Sequence, residues 1–267
     1  MSSFTNCKRL VVKVGTSTLT HQSGHLNLRR VDELVKVLSD LKNAGIEILL
    51  VSSGAVGVGV GELGLRERPK DLGGKQAAAA VGQCALMYMY DKEFAEYGHV
   101  TAQVLLTRDG VEDPVRRQNI INTLDYLLQY NALPIINEND TVATEEIEFG
   151  DNDTLSAMVA VLAKADGLIL LTDIDGLYTA DPHKDPDATR IDRVTAIDEP
   201  LLALAGGAGT SRGTGGMLTK LHAAQIAMEA NIPTIVMDGH DPKRLYDVVE
   251  GKPCGTLFER DEREDDA

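Results

Sequence analysis

Aromatic side chains make up only 4% of the 267 residues, which leaves few platforms on which bases could stack. A formal net charge of −15 repels phosphate backbones as well, so no nucleic-acid partner is expected. Cysteine is also scarce. Cys7, Cys84 and Cys254 are odd in number, far apart and without C-x-x-C spacing, which argues against a disulfide framework or a zinc knuckle and for a reducing compartment. No apolar run reaches membrane-spanning length without a charge, and residues 1–13 hold no uninterrupted apolar stretch of the kind a secretion signal needs. The reading is therefore a cytoplasmic protein with no membrane partner.

Missing motifs narrow the chemistry further. There is no G-x-x-x-x-G-K-[ST] loop, no protein-kinase signature and no G-x-S-x-G elbow. Gly59, Gly61 and Gly64 do spell G-x-G-x-x-G, but the string begins well after the preceding strand ends and lacks a suitably placed acidic residue, so a dinucleotide site is rejected. The six histidines are scattered, with His21 and His25 in a polar turn, and no protein-held metal is expected.

What is present is an ordinary folded composition, 43% hydrophobic and 25% charged, which indicates neither a disordered chain nor a membrane protein. Arg9 to Val14 is an apolar, β-branched strand ending at Gly15. Leu28, Val31, Leu34, Val35, Leu38 and Leu41 then recur at helical spacing, and Gly45 supplies the stop. Strands follow at 46–51, 100–106, 133–136, 168–171 and 234–237, with helices at 75–97, 114–129, 154–164 and 216–230 and a short last helix and strand. Strand–helix–strand alternation predicts a doubly wound α/β fold, with a mainly parallel open sheet flanked by helices on both faces. Residues 144–149 read as a small hairpin, 173–194 as a long functional connection, and 259–267 as an acidic, disordered tail.

Polar clusters fall at the strand ends, and in open α/β sheets that edge is where ligands bind. Lys13 closes the first strand before Gly15, Thr16 and Ser17; a lysine there is costly to bury without an anion, and would otherwise snorkel to the rim. Ser52, Ser53 and Gly54 end the second strand with small residues that let a carboxylate approach the next helix's N–H groups, although the segment would also serve as a plain turn. Gly213 to Lys220 joins glycines and hydroxyls to an ammonium in the first helical turn, forming a candidate phosphate nest; a flexible linker is the competing reading. Asn137 to Asp140 ends another strand, and Gly150 to Thr154 would cap a helix at the same edge. Thr172 to Pro182 leaves a further strand in a turn-rich loop suited to wrapping a nucleotide.

These segments resemble the amino-acid kinase superfamily and, within it, the glutamate 5-kinase family, over nearly the whole chain. The most specific stretch is Pro134 to Asp140 continued by Gly150 to Asp153, supported by Lys13 to Thr16 and Gly213 to Lys220. The resemblance implies the amino-acid kinase fold as a single domain over 1–258, with an amino-acid lobe over about 1–170 and a nucleotide lobe over about 171–258. It implies ATP-dependent phosphorylation of the γ-carboxylate of L-glutamate, the first step of proline biosynthesis. The alternatives are another small-acid kinase, for acetylglutamate or aspartate, and a non-catalytic nucleotide or amino-acid sensor.

By the same resemblance Lys13 and Lys220 neutralise the transferred phosphoryl group and Asp153 orients both. Ser53, Gly54, Asp140 and Asn152 hold glutamate. Lys13, Gly15, Thr172, Asp173, Thr214, Gly215, Gly216, Met217, Leu218, Thr219 and Lys220 contact ATP, whose phosphates carry Mg²⁺. Proline as feedback inhibitor and a homo-oligomeric state are further implications. Many relatives carry a C-terminal PUA domain, which is not expected here after residue 258.

Overall fold

The computed structural model describes residues 4–21, 25–143, 152–180, 182, 185, 187–206 and 216–261. In chain order these form β1 (Arg9–Val14), α1 (Thr16–Leu19), α2 (Leu28–Asn43), β2 (Glu47–Ser52), α3 (Ala55–Glu62), α4 (Leu72–Ala95) and β3 (Thr101–Leu106). Then come α5 (Arg108–Glu112), α6 (Pro114–Gln129), β4 (Leu133–Glu138), α7 (Asn152–Leu162), β5 (Gly167–Thr172), β6 (Leu177–Tyr178), β7 (Arg190–Ile191) and β8 (Arg193–Val194). The chain continues with α8 (Glu199–Gly206), α9 (Met217–Glu229), β9 (Thr234–Asp238), α10 (Arg244–Val249) and β10 (Thr256–Phe258).

Eight strands make one sheet in the order β3-β4-β2-β1-β5-β9-β10-β8. Neighbours from β3 through β9 are parallel, whereas β10 runs antiparallel to β9. The mainly parallel, doubly wound sheet expected above is the one formed. Successive strand side chains alternate between its faces. Leu10, Val12 and Val14 of β1 enter a core with α2, α3, α4 and α10, while Val11 enters the opposite core with α6, α7 and α9. Lys13 shares the parity of Val11, so β1 aims it at the α7 and α9 side.

Side-chain caps set the starts of three helices. The Asn27 side chain accepts from the Arg30 N–H, Asp71 from Gly74 and Asp113 from Arg116, where Pro114 opens α6. Asp71 starts α4 earlier than apolar periodicity indicated. At α2 the expected apolar stripe holds except for Leu28, which is 66% exposed because it lies in the first turn, clear of the sheet. The helix after Gly54 is α3, as expected, whereas the short α1, α5 and α8 and the strands β6 to β8 were not foreseen; each is too short to show a period. The expected hairpin at 144–149 and most of the acidic tail lie outside the described residues.

The glycine string misfit for a dinucleotide has a packing role. A Cβ on Gly59 would lie 1.8 Å from the Ala78 carbonyl oxygen, and one on Gly82 would lie 1.8 Å from that of Ala55. Thus α3 and α4 meet backbone to backbone, and only glycine fits at either contact.

Two substitutions on α4 should therefore have opposite signs. Gly82→Ala drives a methyl into main chain and should cost about 3 kcal/mol. Gly73→Ala, whose Cβ would meet nothing nearer than 3.7 Å, should gain about 0.5 kcal/mol. Urea denaturation midpoints of the two variants check this; equal midpoints would refute the backbone contact.

Candidate active site

Because the central strands are parallel, their C-terminal ends share one edge. Val14 pairs in register with Ser52 on one side and Leu171 on the other, and Thr172 pairs with Asp238. The chain leaves β1 toward β2 on one side and returns to β5 on the other, so a topological switch point lies beside β1, where such sheets bind ligands.

Asp153 stands in the first turn of α7 with no exposed surface. Its Oδ1 lies 2.5 Å from Lys13 Nζ, and its Oδ2 lies 3.0 Å from Lys220 Nζ. The Thr219 hydroxyl also donates to Oδ2 at 3.0 Å. Lys13 and Lys220 are themselves only 6% and 5% exposed, so all three charges are removed from bulk water. Burial alone would push the Asp153 carboxyl up, but the charges of Lys13 and Lys220 and their hydrogen bonds hold it well below the ordinary carboxylate range.

Two ammoniums thus meet one carboxylate in a buried cluster at the sheet edge. Two helix N-termini, of α7 and α9, add positive potential.

The glycine turn after β1 lies against this group: a Cβ on Gly15 would be 3.8 Å from Lys13 Nζ. Gly54 adopts φ +102° at the start of α3, and a Cβ there would touch the Thr16 methyl at 3.4 Å, so the turns after β1 and β2 adjoin. On the other flank the buried Thr172 hydroxyl donates to Asp173 Oδ1 at 3.1 Å, and its carbonyl accepts from the Gly239 N–H at 2.8 Å.

Beyond β2 lies a second, neutral polar group. Asn152 Nδ2 donates to the Ser52 carbonyl at 2.6 Å and to Asn137 Oδ1 at 2.7 Å. Asn137 Nδ2 in turn donates to Gln83 Oε1 at 2.8 Å. Ser53 and Asp140 are half-buried on neighbouring turns.

The predicted residues Lys13, Lys220 and Asp153 are thus brought together, with Gly15 and Thr219 against them. Ser53, Gly54 and Asn152 border the same edge, and so does Asp140 after β4. Gly216 caps α9, Met217 is buried and turned into the core, and Leu218 is partly exposed. Thr214 and Gly215 lie outside the described residues, as do Gly150 and Asp151. Gln83 and Tyr90 were missed, although both interrupt a run of small apolar residues on α4 with a polar group.

The amino acid kinase family model matches residues 8–238. The chain belongs to the amino acid kinase family. Within it, the chain is 53% identical to the glutamate 5-kinase of Listeria innocua over 96% of its own length and 94% of that protein's. It is 52% identical to the glutamate 5-kinase of Symbiobacterium thermophilum, covering 96% of this chain and 97% of that one. A carbamate kinase from Giardia lamblia bound to AMP-PNP shares the fold, with a TM-score of 0.68 at 18% identity over 96% of this chain and 100% of the other.

Removing the shared carboxylate should cost stability with a defined pH dependence. Asp153→Asn removes the carboxylate that two buried ammoniums share and should lower unfolding free energy by about 3 kcal/mol. A depressed folded pKa means the contribution is fully present above the unfolded value of about 3.9 and is lost as pH falls through the folded value. The gap between wild type and Asp153→Asn, measured by urea unfolding, should stay constant from pH 7 to 5 and narrow in more acid solution. A gap that widens on acidification would contradict the assignment.

Proposed function

We propose that the chain transfers the γ-phosphoryl group of ATP to the γ-carboxylate of L-glutamate, giving L-glutamyl 5-phosphate and ADP. The observation that carries this reading is the buried cluster in which Lys13 and Lys220 converge on the Asp153 carboxylate at the edge of the sheet. The similarity to glutamate 5-kinases over nearly the full chain supports glutamate as the acceptor.

A glutamate side chain, with a reference pKa of about 4.3, is already an anionic nucleophile at neutral pH, so no general base is required. Its oxygen attacks the γ-phosphorus in line, the bond to the β,γ-bridging oxygen breaks, and that electron pair leaves on ADP. The obstacle is anion against polyanion. In this reading Lys13 and Lys220 meet the charge spread over the transferred group, and Asp153 holds both amines in place without neutralising both. Thr172, Asp173, Gly15 and the 214–220 stretch hold the nucleotide; Ser53, Gly54, Asp140 and Asn152 hold glutamate. In the same reading the amino-acid lobe spans about 1–170 and the nucleotide lobe about 171–258.

The chemistry of these residues fits a cation that arrives with the nucleotide. Among the described residues no group of three or more His, Cys, Asp or Glu gathers to hold a metal, and Asp153 is engaged with two ammoniums. Mg²⁺ on the phosphates supplies further neutralisation. Among the described residues no helix is long and apolar enough to cross a membrane. A cytoplasmic homo-oligomer responsive to proline completes the reading by family resemblance.

Hydroxylamine traps acyl phosphates, so hydroxamate should form with ATP and glutamate far faster than with aspartate or N-acetylglutamate. Equal rates with N-acetylglutamate would move the substrate assignment. Lys13→Ala or Lys220→Ala should lower kcat by about 100-fold or more, since the charge they meet is largest in the transition state. Unchanged turnover in both variants would remove them from the chemistry. Asp140→Ala should raise KM for glutamate about tenfold with KM for ATP unaltered, because a carboxylate there suits the substrate ammonium; equal changes in both constants would argue against it.

A further inference from the structure

Three polar side chains on α4 recur at intervals of seven: Gln76, Gln83 and Tyr90. Two helical turns separate each from the next, so all three lie along one face. Each holds a different segment of the rim described above. Gln76 Nε2 donates to the Ala143 carbonyl at 3.0 Å, fixing the turn after Asp140. Gln83 Oε1 accepts from Asn137 at 2.8 Å. The Tyr90 hydroxyl lies 3.0 Å from Ser52 Oγ at the end of β2. Tyr90 is fully buried, which pushes its phenol above the ordinary range and keeps it a neutral hydroxyl.

The middle contact controls the orientation of an amide that borders the substrate. The Glu138 backbone N–H donates to Asn137 Oδ1 at 2.9 Å, and a backbone N–H can only donate. Asn137 therefore presents its oxygen to Asn152 and its nitrogen to Gln83. Asn152 must answer with Nδ2, and the Ser52 carbonyl, which can only accept, demands the same atom. Both N–H groups of Asn152 are thereby used within the protein. Its Oδ1 is left as the group able to serve a ligand, and an oxygen there accepts from an ammonium.

We propose that Gln83 is a positioning residue for substrate selection: through Asn137 it holds Asn152 with its carbonyl oxygen toward the acceptor site, so that an acid bearing a free α-ammonium is preferred over one whose nitrogen is acylated. The proposal rests on the glutamate reading above and adds the device that distinguishes glutamate from its N-acyl derivatives. Gln83 touches neither substrate nor nucleotide in this scheme. Without its acceptor, Asn137 is free to rotate away from Glu138, and Asn152 can then turn its N–H groups toward the ligand, where they repel an ammonium and welcome an amide carbonyl.

The test compares wild type with Gln83→Met, which keeps length and loses the acceptor, and Gln83→Glu, which keeps an oxygen facing Asn137. Hydroxamate formation is followed with glutamate and with N-acetylglutamate, and ADP release gives KM for ATP. Gln83→Met should raise KM for glutamate about tenfold and lower the glutamate to N-acetylglutamate ratio of kcat/KM about tenfold, with kcat and KM for ATP within about twofold. Gln83→Glu should restore the ratio to within about threefold of wild type. Wild-type selectivity in Gln83→Met overturns the proposal alone, as does a general loss in which kcat and the thermal midpoint fall, both KM values rise and Gln83→Glu fails to rescue. A wild-type protein that forms no hydroxamate from glutamate overturns the functional reading, and the proposal with it.

Discussion

Asp153 joins parts of the chain that are far apart in sequence: Lys13 from the first strand, its own helix α7, and Lys220 from α9. Taking three charges out of water is expensive unless they satisfy one another. Here one carboxylate meets two ammoniums, one on each oxygen. Stability and chemistry here draw on the same interaction. The fold must be closed for the cluster to exist, and in the proposed reaction the same cluster meets the phosphates.

The rest of the architecture serves to deliver those groups. Parallel pairing from β3 to β9 brings all the relevant strand ends to one side. Strand parity sends Lys13 to the α7 and α9 face while its neighbours Val12 and Val14 build the opposite core. The glycine contacts between α3 and α4 let α4 run close to the sheet, so that Gln83 and Tyr90 reach the ends of β4 and β2. A bulkier residue at Gly82 would separate the helices and withdraw both side chains from the rim.

Much of this was legible in the sequence where the physics is local. β1 and α6 were read to their observed bounds because uniform apolar runs, a glycine stop and an Asp–Pro start are local signals. The lysines and Asp153 were legible as charges at strand and helix ends. What binds them together was not, since contacts between residues 13, 153 and 220 depend on sheet order. The amide chain from Gln83 to Asn152 was illegible for a related reason: each member alone is an ordinary polar residue, and only the hydrogen-bond directions give them a common role. The seven-residue recurrence of Gln76, Gln83 and Tyr90 in an alanine-rich helix was the one available sign.

The strongly acidic composition and the cationic site follow from a single division of labour. At −15 the molecule as a whole repels ATP, so attraction must come from within about one Debye length of the site, roughly 8 Å at physiological ionic strength. Exposed lysines elsewhere could not supply it, being screened and outnumbered. Buried ones can, because solvent cannot screen them and a fixed partner prevents them from collapsing onto the surrounding acids. A nucleophile that is ionised at neutral pH removes any need for histidine at this edge. In the proposed reaction catalysis then depends on where two amines are held, and Asp153 bonds both.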